Sequence, residues 1–245
     1  GGVTKDFWEW DQSGNVWTQK ADFGGVARYS AVGFSIGTKG YMGTGMDAGS
    51  VRRKDFWEYD QSGNVWTQKA DFGGTAREGA VGFSIGSKGY VGMGQDGPSS
   101  YKQDFWEYDQ AGNSWTQKTN FGGVARTLAI GLSIGTKAYI GTGVDVSGNA
   151  KNDFWEWDQA GNVWTQKANF GGVARFGAIS YSIGGKAYVG IGRDGALVYK
   201  KDFWEYEPAS NAWVQKQDFA GTARNVAVGF SIGTKAYLGT GYDGA

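Results

Sequence analysis

Apolar and aromatic residues occur along this chain in short runs, each bounded by a Gly-rich or Asn-containing turn signal. The runs are rich in Val, Ile, Tyr, Phe and Trp, and glycine interrupts them too often for helices. The pattern therefore predicts an all-β chain of short strands. Over one stretch it places strand A at residues 28–36, a tight turn at 37–39 and strand B at 41–45. A variable loop follows at 46–54, then strand C at 55–59, a turn at 61–64, strand D ending near Lys69, and a link over 70–76.

The pattern repeats. Asp-Phe-Trp-Glu begins at Asp6, Asp55, Asp104, Asp153 and Asp202, a step of 49 residues, and five such units account for all 245 residues. A unit of this length with four strands matches one blade of a β-propeller. The expected fold is a single all-β domain over residues 1–245, a five-bladed propeller with four-stranded antiparallel blades. Blades radiate from an axis and the gaps between them widen outward, so side chains should grow from strand A to strand D. They do: Ala31, Gly33, Ser35, Gly43 and Gly45 lie on the inner strands, and Phe7, Trp8, Trp10 and Trp17 on the outer ones. The tryptophans are read as packing between blades. The last repeat is completed by residues 1–5, and the N-terminal strands C and D are expected to pair with the C-terminal strands A and B, closing one composite blade.

Three features carry a resemblance to the kelch-type (galactose-oxidase-like) propeller repeats, over the whole chain. An aromatic residue stands seven positions before a Trp in each unit: Trp10 and Trp17, Tyr59 and Trp66, Tyr108 and Trp115, Trp157 and Trp164, Tyr206 and Trp213. An Arg opens each strand A. The Gly-Gly doublet of kelch repeats is replaced by Gly-x-Gly, as in Gly43-Thr44-Gly45. The resemblance implies the fold and a habit of binding through loops. The kelch enzymes rely on histidine, a cross-linked cysteine or unique acidic positions, so it implies no catalytic residue here.

Composition narrows the chemistry further. The chain has no Cys and no His, which removes thiolate nucleophiles, Ser-His-Asp triads, the usual zinc and haem sites, and disulfides. Lys plus Arg and Asp plus Glu number 24 each, without like-charge runs, so a nucleic-acid partner is not expected. No apolar run is long enough to span a bilayer, and the first residues lack the apolar core of a signal peptide. No metal or cofactor is expected, and the chain is expected to be a monomer. An extracellular or cell-surface setting is favoured for a natural protein.

The candidate ligand-binding residues come from comparing the units with one another. Residues 6–25 and 55–74 differ only at Trp10 and Tyr59, whereas the residue after each strand-A Arg is Tyr29, Glu78, Thr127, Phe176 or Asn225. The loops after strand B vary too, and contribute Gln95, Arg193 and Tyr242. In an up-and-down blade, the D-to-A and B-to-C connections share one face, so both variable regions do. Arg28, Arg77, Arg126, Arg175 and Arg224 should ring the channel mouth, either holding the aspartates at the strand-B ends (Asp47, Asp96, Asp145, Asp194 and Asp243) or gripping an anionic ligand.

The leading expectation is a non-enzymatic module that binds a glycan, peptide or protein on this variable face. A purely structural or engineered propeller is the alternative, and a glycan-active enzyme using carboxylates alone is the third reading. Unit five departs from the others at residues 207–210 and at Phe219-Ala220, as terminal repeats do.

Overall fold

The structure, a computed structural model, describes residues 2–244, and among these it contains strands and turns but no helix. Four sheets are four-stranded and antiparallel. The first is Val32–Ile36, Lys39–Gly43, Phe56–Asp60 and Val65–Lys69, hydrogen-bonded in that order. The others repeat it, beginning at Val81–Ile85, Ile130–Ile134 and Ile179–Ile183. Strands A and B are joined by two residues, with Gly37 at φ 57°, a left-handed turn in which a side chain is strained. Strands C and D are joined through residues 61–64, where Asn64 is left-handed and its Oδ1 accepts from the Tyr59 hydroxyl at 3.0 Å.

The strand-A expectation needs one correction. Arg28–Tyr29 does not continue into Val32–Ile36. It forms its own two-residue ladder with Met46–Asp47. The break falls at Ser30, whose φ of 53° turns the chain out of extended conformation.

Strands A of consecutive repeats pack side by side from Val32–Ile36 to Val228–Ile232, and residues from all five repeats line one central channel of about 300 Å³. Backbone bonds run around it from Gly79 N to Ser30 O, Leu128 N to Gly79 O, Gly177 N to Leu128 O and Val226 N to Gly177 O. Outward, aromatic rings fill the gaps between sheets. Phe56 meets Tyr108 and Trp115 edge-on, Phe105 meets Trp157 and Trp164, and Phe154 meets Tyr206 and Trp213. Phe56, Phe105, Phe154, Tyr108, Trp157 and Tyr206 are all buried, so the recurring aromatics form the core of the inter-sheet wedges.

The two ends differ from the expected composite blade. Trp8–Asp11 pairs only with Val16–Gln19, and Lys235–Gly239 only with Val228–Ile232, leaving two separate hairpins. They flank a cleft of about 540 Å³ lined by Trp10, Gln12, Trp17, Phe230, Ile232 and Tyr237. In the other four sheets a covalent B-to-C loop holds strand B beside strand C. Here no loop joins them, and ordering the pair must come from contact energy alone.

Candidate functional site

The variable residues are brought together in five small ladders at one mouth of the channel. Tyr29 pairs with Met46, Glu78 with Gln95, Thr127 with Val144, Phe176 with Arg193, and Asn225 with Tyr242. Each ladder joins the start of a strand A to the loop after strand B, so the two variable regions of each repeat are neighbours, as their shared face requires.

The face is uneven. Tyr29 and Tyr242 are exposed, and Phe176, Gln95 and Arg193 are half-buried. Glu78, Thr127 and Asn225 are buried, a departure from their expected role as exposed contacts. Glu78 Oε1 accepts from Gln95 Nε2 at 2.9 Å and from Arg52 Nη2 at 2.8 Å, and Thr127 Oγ1 donates to Gly79 O at 3.2 Å. Asn225 Oδ1 is buried with no hydrogen-bond partner among the described residues.

Around Arg193 the aromatics gather. Its guanidinium lies 5.0 Å from the Tyr199 ring centroid, its Nε donates to Leu197 O at 3.0 Å, and Tyr199 meets Tyr242 edge-on at 5.9 Å. Tyr199 and Arg52 were not among the candidates from the sequence. Their signal was present, since the B-to-C loops carry Arg52, Tyr101, Ala150 and Tyr199 at one repeat position.

The arginines hold different partners from those expected at the strand-B ends. Arg28, Arg77, Arg126 and Arg175 close on Asp55, Asp104, Asp153 and Asp202, the aspartates that open strand C. Each Nη1 also donates to the middle carbonyl of a Gly-x-Gly element: Thr44, Met93, Thr142 and Ile191. Those residues are left-handed, with φ between 54° and 59°, which turns the carbonyl toward the arginine. Arg77, Arg126 and Arg175 have no exposed surface, and each stacks on a Phe ring. Burial alone would discourage ionisation of Asp55, Asp104, Asp153 and Asp202. The arginine and the Trp indole N–H outweigh it and hold these carboxyls below the usual range.

The strand-B aspartates instead shape the B-to-C loops. Asp47 Oδ1 accepts from the Gly49 and Val51 amides at 2.9 Å, and its other oxygen takes Arg53. Asp145 does the same with Ser147, Asn149 and Lys151, and Lys151 brings its carboxyl down to about 2. No group of three or more metal-ligating side chains occurs among the described residues.

No protein-family model and no curated protein matches this chain. Among solved structures, one reported as the structure of YjhT is similar at TM-score 0.81 and 15% identity, covering 98% of this chain and 85% of that one. At that identity the likeness shows the fold alone.

Proposed function

We propose that this chain is a non-enzymatic recognition module, a kelch-type propeller whose variable face binds one ligand, a glycan, peptide or protein, over the channel mouth. The observation that carries this reading is the contrast between the two faces. The A-to-B and C-to-D turns are nearly constant from unit to unit, whereas the paired positions around the channel mouth carry a different residue in each repeat. Exposed Tyr29 and Tyr242, with Phe176, Gln95 and Arg193, offer stacking faces and hydrogen-bonding groups on a rigid ring. Arg28, Arg77, Arg126 and Arg175 are left out of the binding surface because they are spent on internal ion pairs.

The same reading makes the chain a closed five-bladed monomer. Every internal junction makes one set of bonds. Asn64, Asn113, Asn162 and Asn211 Oδ1 cap the amides of Ala21, Ala70, Thr119 and Ala168, and Trp66, Trp115, Trp164 and Trp213 donate to the carbonyls of those same residues. Carried round once more, the set names Asn15, Trp17 and Gln217, and the ion pair names Arg224 and Asp6. All of these groups are present, divided between the two ends.

Screening the purified protein on glycan and peptide arrays, followed by titration calorimetry on any hit, tests the function. One site per chain is expected. A stoichiometry near five would move binding to the repeated features, and activity toward a glycan substrate would replace the reading with the carboxylate enzyme.

A further inference from the structure

At each internal junction the first glycine after the Phe lies flat against the next repeat. A methyl group on Gly24 would lie 2.5 Å from Trp57 Cζ3 and 3.0 Å from Trp66 Cβ. At Gly73, Gly122 and Gly171 the same methyl would lie 2.6, 2.6 and 2.5 Å from a ring carbon of Trp106, Trp155 and Trp204. Such separations are well inside carbon–carbon contact, so glycine is required wherever the Trp takes this place. The fifth position is Ala220, and its counterpart across the seam is Trp8, with Trp17 behind it.

The Trp cannot swing aside freely. Trp57, Trp106, Trp155 and Trp204 each donate Nε1 to the aspartate that opens the same strand C, and that oxygen also receives the arginine Nη2. Trp8 is tied to Asp6 in the same way, Nε1 to Oδ2 at 2.8 Å. A push from the Ala220 methyl is therefore passed to the carboxylate that Arg224 would take. In the structure the Arg224 guanidinium donates to Thr222 and Thr240 and lies 5.4 Å from the Phe219 ring centroid, and among the described residues it has no ion pair. Trp17 is 61% exposed, whereas its counterpart Trp164 is 9% exposed.

We propose that Ala220 makes the fifth junction a weak joint, at which the ring opens and closes while the other four junctions stay shut. The proposal rests on the closed-ring reading above. Opening parts Tyr29 from Tyr242, which belong to the repeats on either side of the seam, so the joint also sets whether the recognition face is assembled.

The chain has no cysteine, so a pair placed across the seam reports on it alone. Lys39, Lys88 and Lys137 stand opposite Asp60, Asp109 and Asp158, and by the same register Lys235 would stand opposite Asp11. The full chain carrying Asp11→Cys and Lys235→Cys is oxidised mildly, and intramolecular cross-linking is followed by non-reducing electrophoresis, with and without Ala220→Gly. Cross-linking about tenfold faster with Ala220→Gly is expected, together with reduced binding of an apolar dye at the seam. Equal rates in the two backgrounds would overturn the weak joint and leave the closed ring standing. No intramolecular cross-link in either background, with both thiols still titratable, would overturn the ring and the joint together. Gly122→Ala in the same reporter chain serves as a control. It should lower the melting temperature by several degrees without speeding the seam, and an unchanged melting temperature would show that the Trp yields to a methyl and would overturn the proposal.

Discussion

Arg126 closes on Asp153 through two parallel bonds, Nη1 to Oδ1 at 2.6 Å and Nη2 to Oδ2 at 2.7 Å, across 27 residues of sequence. The same guanidinium reaches Thr142 O and Val124 O and lies over the Phe121 ring. One side chain thus ties strand A, the end of strand B, the start of strand C and the preceding link. Replacing it with Met leaves Asp153 half-buried and unpaired, at a cost of about 3–5 kcal/mol. For a chain of this size that lowers the melting temperature by roughly 6–20 °C. Lys should restore little, because it cannot make both bonds. A thermal melt checks this, and a drop under about 2 °C for both variants would assign the pair no structural weight.

Thr142 has the opposite character. It is buried, left-handed at φ 55°, and its hydroxyl has no hydrogen-bond partner among the described residues. Left-handed backbone costs about 1–2 kcal/mol in a residue with a side chain, and a buried unpaired hydroxyl about 1–3 kcal/mol. Glycine removes both while giving up one buried methyl and some chain entropy. Thr142→Gly is therefore expected to raise the melting temperature by a few degrees. A fall of similar size would mean that methyl packing outweighs the strain.

Stability should be flat between about pH 5.5 and 8, because no side chain of ordinary pKa titrates there in a chain without histidine. Asp55, Asp104, Asp153 and Asp202 have folded pKa values below their unfolded ones. Their stabilising contribution is fully present above the unfolded value, about 3.9, and is lost as pH falls through the folded one. Acid unfolding should therefore begin below about pH 4, and Asp153→Asn should flatten that limb. Circular dichroism against pH checks both. A transition centred near pH 6 would point to a group other than these carboxylates.

Strand order, turn positions, the repeat and the gradient of residue size were legible in the sequence because each is local or repeats with the 49-residue period, whereas the break of strand A at Ser30 and the end of strand B at Gly43, before left-handed Thr44, were not. The arginine partners were not. Asp47 and Asp55 both recur once per unit, and only the fold shows that the ladder Arg28–Tyr29 with Met46–Asp47 leaves the Arg28 side chain to Asp55 while Asp47 turns to its own loop amides. The burial of Glu78, Thr127 and Asn225 was equally hidden, because variability between units marks a position as unconstrained by the repeat without saying which way its side chain faces. At Ala220 the departure from glycine was visible, but its meaning required the Trp57 ring against Gly24.

The binding face yields the last prediction. Phe176, Arg193 and Tyr242 form one side of the channel mouth: Phe176 and Arg193 are ladder partners, and Tyr242 reaches Arg193 through Tyr199. None of them is fully buried, and none contributes to the aromatic wedges between sheets. Changing all three to Ala should therefore lower the melting temperature by only a few degrees, since partly exposed positions away from the core contribute little. The same change removes two stacking faces and the one cation of the cluster, so affinity for any ligand found on the arrays should fall at least a hundredfold. Alanine at Val65, Val163 and Val214, exposed positions on strand D, is the matched control and should leave binding unchanged. Undiminished binding by the Phe176, Arg193 and Tyr242 variant, measured by titration calorimetry at equal folded concentration, would take the variable face out of consideration and turn attention to the constant one.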